Sequence, residues 1–199
     1  MKRLVLFLCT LFLTAACAQN KSAADTTLDF QESLNKDFKN PETSPLPKDA
    51  IKNFKSLDFF PFSELYVVSA KLTKTPDSKP FEMPTTTQRK PMYKKYGELH
   101  FKLNGSNYVL SVFQNLELIQ KSEFKNSLFL PFTDLTSGVS SYGGGRYMDI
   151  EIPEGDTLIL NFNLSYNPYC VYNPKYSCPI PPEENFINTE IKAGIKEGF

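Results

Sequence analysis

The chain has little of what the commonest enzyme sites are built from. Its 199 residues hold no tryptophan, one histidine (His100) and four cysteines, none of them in a Cys-x-x-Cys pair. A metal cluster or a histidine-activated nucleophile would therefore have few side chains to draw on, and no metal or cofactor is expected. His100 lies in YGELHFKL, where Leu99, Phe101 and Leu103 alternate with Glu98, His100 and Lys102, so it falls on the polar face of a strand and reads as solvated. An excess of charge is missing too: 22 Lys+Arg balance 22 Asp+Glu. Binding a phosphate backbone needs a basic surplus on some face, so no nucleic-acid partner is expected. The apolar run LVLFLCTLFL is too short to span a bilayer as a helix. No internal repeat and no Gly/Ser linker divides the chain, and its length suits one domain with a sizeable core.

What is present starts with an export signal. Lys2-Arg3 precedes the apolar run, and Thr14-Ala15-Ala16-Cys17 resembles the lipobox of bacterial lipoproteins, where cleavage precedes a cysteine that is then acylated. Residues 1–16 read as the signal peptide, Cys17 as the lipidation site and 17–26 as a tether. Acyl chains there would anchor the domain at a membrane, at about 0.8 kcal/mol per buried methylene. The expected location is the bacterial cell envelope, on a periplasm-facing outer-membrane surface, since no acidic run after Cys17 signals display outside. In that oxidising compartment Cys170 and Cys178 are the two remaining thiols, and a disulfide between them is the default expectation.

Residues 27–199 read as one β-rich domain. Leu28, Leu34 and Phe38 recur at helical spacing and predict a helix over about 27–39, capped by Asp25, Thr26 or Thr27; a second short helix is predicted over Lys48–Lys55. Strand patterns follow over residues 65–74, more weakly over 81–87, then 96–114, 128–132, 147–152 and 157–164. Asn104-Gly105 supplies the residues of a tight antiparallel hairpin. The predicted class is mainly β: an antiparallel sandwich or partly open barrel led in by two short N-terminal helices.

Residues 128–185 concentrate the unusual chemistry. In Arg146–Ile152 the apolar Met148, Ile150 and Ile152 share a face with Arg146, while Tyr147, Asp149 and Glu151 take the other. An inward guanidinium needs partners. These could be a structural pair with Asp134, or an anionic ligand clamped by Arg146 with help from the backbone of Gly143–Gly145. Asp134 and Thr136 could cap their own turn or join that site. Asn161 and Asn163, unusual in a strand, either meet partners across a loop or line a pocket. Tyr166-Asn167-Pro168 opens a tyrosine-rich loop that Cys178-Pro179 closes. The ligand-binding candidates are Asp134, Thr136, Tyr142, Gly143, Gly145, Arg146, Tyr147, Asn161, Asn163, Tyr166 and Asn167.

PFTDLTSG, SYGGGRYMDI, LNFNLSYNPYC and CPIPPEENFINTEIKAGIKEGF together resemble the bacterial and archaeal family known as domain of unknown function 1684, over about Asp49–Lys196. The resemblance implies boundaries and motif residues rather than a mechanism. Asn161 stands where the family usually has aspartate, Ser165 where it has alanine, Phe186 where it has arginine and Ile195 where it has glutamate. Chemistry resting on those acidic positions is thereby weakened here. Three functions remain open at this point. The first is a non-enzymatic lipoprotein binding a small anionic or polar ligand or an envelope partner. The second is a hydrolase using Asp134, Arg146 and Tyr166, and the third a purely structural envelope protein.

Overall fold

A computed structural model describes residues 21–197, so the signal peptide and Cys17 lie outside the described residues. Helix α1 (Ala23–Lys39) starts earlier than the sequence predicts. Ser22 is its cap, accepting from the Asp25 N–H at 3.1 Å, so residues 23–26 of the expected tether form its first turn. The second helix, α2, is one turn, Lys48–Ile51, rather than the predicted eight residues.

The strands are β1 (Val67–Lys74), β2 (Phe81–Glu82), β3 (Met92–Leu103), β4 (Ser106–Asn115), β5 (Ser127–Asp134), β6 (Arg146–Glu151), β7 (Thr157–Asn161) and β8 (Phe186–Ile187). They form one sheet in the order β6-β5-β4-β3-β1-β7, with β2 on β3 and β8 parallel to β5. The fold is mainly β, an antiparallel sheet curled into a half-barrel, and not the two facing sheets of a sandwich. The chain just past β7 meets β6 through the reciprocal bonds Tyr147 N–H to Tyr166 O (2.9 Å) and Tyr166 N–H to Tyr147 O (3.0 Å). A sheet that curls until its ends touch leaves less unpaired edge.

Local chemistry explains the elements. Asn104 and Gly105 both take positive φ (50° and 84°), the geometry a two-residue hairpin turn requires between β3 and β4. β7 ends at Asn161, short of the predicted Leu164, because its side chain accepts from the Asn163 N–H at 3.0 Å and turns the chain into a short 3-10 helix. β2 is likewise shorter than the predicted 81–87.

Alternation sorts the sheet into two faces. Leu72, Leu99, Phe101, Leu110, Val112, Leu130, Phe132, Met148, Leu160 and Phe162 fill the interior. On the outer face Tyr93 and Phe113 pack with Met83, Phe81 and Phe129. A further cluster joins Phe38 of α1 to Leu46, Phe54, Leu57, Tyr172 and Ile195, fixing the helix to the cysteine loop and the C-terminal coil.

Candidate functional site

Arg146 points into the half-barrel, as its strand register predicts, and is fully buried. Its Nη2 donates to Asp134 Oδ2 at 2.8 Å, to Ile191 O at 2.8 Å and to Thr136 Oγ1 at 3.4 Å. Its Nη1 donates to Ile195 O at 3.2 Å and to Ala193 O. Burial lowers the guanidinium's pKa and the neighbouring Asp134 raises it. Asp134 Oδ1 meanwhile accepts from the N–H groups of Thr136 (2.8 Å) and Ile191 (3.1 Å). Both terminal nitrogens thus bond to protein, the structural pairing rather than the anion clamp, while the buried Nε has no hydrogen-bond partner among the described residues.

The glycines do not form an anion cradle around that group. Gly145 has φ +88°, and a Cβ there would stand 2.5 Å from Phe132 O; it lets β6 start against β5. Gly143 is exposed in the turn beside Gly138. Thr136 meets Ser141 Oγ at 2.8 Å inside its own turn. Asn161 and Asn163 meet partners rather than a pocket. Asn161 Nδ2 donates to Thr27 Oγ1 at 3.1 Å, and Asn163 Nδ2 to Ser63 O at 3.0 Å. Asn167 Nδ2 ties Tyr172 Oη (3.3 Å) to Lys196 O (3.0 Å).

An opening lies on the other face of β6. A cavity of about 410 Å³ is walled by Phe30 and Leu34 of α1, by Tyr93, Phe129 and Tyr147 of the sheet, and by Tyr166, Tyr169, Tyr176, Cys178 and Pro179 of the cysteine loop, with Leu118 at its rim and Asp149 in its wall. Of the predicted site residues, Tyr147 and Tyr166 come together here. Tyr166 Oη donates to Asp149 Oδ2 at 2.7 Å, and Tyr147 Oη donates to Pro179 O.

Asp149 is solvent-exposed where it lines the cavity, although protein crowds around its carboxylate. Burial raises its pKa above the ordinary carboxylate range, and the Tyr166 hydrogen bond offsets part of that rise. Water in the cavity screens some of the cost. Burial also holds the Tyr166 phenol well above its usual range, with Asp149 adding to the effect.

Cys170 and Cys178 are adjacent but unbonded, in place of the expected disulfide. The Cys170 N–H donates to Cys178 Sγ at 3.1 Å. Burial, helped by the neighbouring thiol, pushes Cys178 up to about 12. A protonated thiol is a poor nucleophile at neutral pH. Tyr142 lies beside the pair, its phenol raised chiefly by burial and also by the two sulfurs.

Residues 52–196 match the family described as "Protein of unknown function (DUF1684)". The chain belongs to this family. Its fold is similar to the solution NMR structure of an uncharacterised protein of Haloarcula marismortui. The two share 31% identity over 86% of this chain and 92% of that chain, with a TM-score of 0.67. No curated protein matches the chain. Within this DUF1684 domain, the matched span holds Asp134, Arg146, Asp149 and both cysteines, but begins after α1. Phe30 and Leu34, one wall of the cavity, therefore come from outside it.

Sequence reasoning set Asp149 on the face opposite Arg146, where it lies, but did not single it out as a site residue, nor Asn185. Asn185 Nδ2 donates to Ser111 O (2.8 Å) and Pro131 O (2.7 Å), and its Oδ1 accepts from the Ser111 N–H (2.8 Å), bridging β4 to β5. The available signal for Asp149 was its place two residues after Tyr147, opposite Phe129, in a chain whose tyrosines cluster nearby.

Proposed function

We propose that this DUF1684 protein is a lipid-anchored envelope protein that binds a small, ring-bearing molecule on the outer face of its half-barrel. The observation that carries the reading is the cavity beside Tyr147 and Tyr166. Its volume lies within the range of small-molecule sites, and seven of its lining side chains are aromatic around one carboxylate. The space is open to solvent, so a ligand can reach it. The Arg146 group, by contrast, supports a structural role. The hydrolytic alternative asks Asp134, Arg146 and Tyr166 to share one site. Asp134 and Arg146 are buried in the interior, whereas the Tyr166 hydroxyl faces Asp149 outside.

The test uses Nile red, a neutral ring-bearing dye that brightens in apolar surroundings. The full chain should enhance its fluorescence saturably, and Leu34→Trp, which extends a larger side chain from the helix wall into the cavity, should weaken binding by roughly tenfold or more while leaving the thermal midpoint in place. Equal dye binding by both proteins would remove this cavity from consideration.

A further inference from the structure

The outer cavity has a charge preference that can be deduced from its walls. Among its lining residues Asp149 alone carries a formal charge. Among the described residues no lysine, arginine or histidine forms an ion pair with it; its polar partner is the Tyr166 hydroxyl at 2.7 Å. The surroundings are ring faces and edges. Phe129 lies directly across the strand pair from Asp149, and Tyr147 shares its face two residues earlier. The Tyr147 and Tyr166 rings meet edge to face at 6.0 Å and 89°. On the far wall Tyr169 and Tyr176 pack at 5.3 Å, and the Tyr176 ring already carries the Lys175 ammonium 4.8 Å from its centre.

Resting on the binding function proposed above, we infer that the cavity takes a small organic cation, an aromatic ammonium whose charge sits against Asp149 and whose ring meets the tyrosine rings. Each class of ligand meets a different balance. An anion would face an uncompensated carboxylate at close range. A neutral molecule would displace water from Asp149 and return nothing for it, which is costly for a charged group. An organic cation compensates the carboxylate and is attracted by the negative ring faces at once. Tyr166 adds a fixed donor to one carboxylate oxygen, holding the group toward the cavity. Burial raises the Asp149 pKa and the Tyr166 hydrogen bond lowers it, with no contribution from a cation among the described residues.

Phenyltrimethylammonium and tert-butylbenzene have the same shape and differ in charge, and benzenesulfonate supplies the opposite sign. Binding of each to the full chain is followed through the ring resonances of the cavity tyrosines. The expected result is that the ammonium binds roughly tenfold tighter than its neutral isostere and that benzenesulfonate binds weakest. Asp149→Asn should bring the two probes together, weakening the ammonium and leaving tert-butylbenzene the same or tighter. Equal binding of ammonium and isostere to the unaltered protein, or preference for the sulfonate, overturns the charge assignment and leaves the cavity as a binding site. Failure of all three probes to move any tyrosine resonance overturns the binding function itself. The three-probe comparison is made on the unaltered chain, so it stands even if Asp149→Asn does not fold.

Discussion

Arg146 owes its place to the geometry of the segment it holds. An extended chain turns alternate carbonyls to one side, and residues 191, 193 and 195 present theirs to a single guanidinium. That coil bridges to Phe59 at Ile195 without forming a longer ladder, and the planar fork of donors serves its inward carbonyls while Asp134 balances the charge. Arg146→Met would leave a buried carboxylate and several carbonyls unmatched. Urea unfolding should show a loss of about 3–5 kcal/mol, with a smaller loss for the double variant that also carries Asp134→Asn. If the double variant is no better than the single one, the Asp134 charge is not what the arginine compensates. The inward direction of Arg146 was legible from alternation with Met148 and Ile150, and so was its pairing with Asp134 as one of two outcomes. Its other partners were not legible, because a strand's periodicity says which way a side chain points and nothing about which distant coil it will meet.

The same substitution of side chain for main chain recurs at the level of elements. β4 and β5 pair in register only at Phe113 and Phe129, and Asn185 closes part of the gap by donating to and accepting from their backbones. The loop that delivers Asn185 is the one that holds the two cysteines, so its conformation bears on both the sheet and the cavity. The thiols are already neighbours, and a disulfide in an oxidising compartment would close a short ring worth about 2–3 kcal/mol in a chain-entropy estimate. On the proposed envelope location, the native protein is expected to show no free thiol at Cys170 or Cys178 on denaturation, and its thermal midpoint to fall on reduction. Two titratable thiols in native envelope protein would show that the loop is held by packing alone. Hairpin β3-β4 was readable from Asn104-Gly105 because turn chemistry is local. The curl of the sheet was not, since β1 sits between β3 and β7 and that order follows from contacts distant in sequence. The aromatic cavity escaped for a similar reason: one of the walls it shares with Asp149 comes from α1, more than a hundred residues earlier.

At the scale of the whole molecule, the position of α1 joins the cavity to the proposed anchor. Cys17 stands six residues before Ala23, the first residue of the helix. At about 3.3–3.6 Å per extended residue, an acylated Cys17 would hold the helix within roughly 20 Å of the membrane surface. Phe30 and Leu34 follow on the next turns, at about 1.5 Å rise per residue. The half-barrel core and the cavity are built from residues beyond Ser22, so their stability should not depend on the lipid. Cys17→Ser should therefore move the protein from the membrane fraction to the soluble fraction and leave its thermal midpoint and Nile red binding unchanged. Retention of that variant in the membrane fraction would dispose of the acyl anchor. Release accompanied by loss of dye binding would instead mean that the membrane contributes directly to the cavity, which then opens toward the lipid surface.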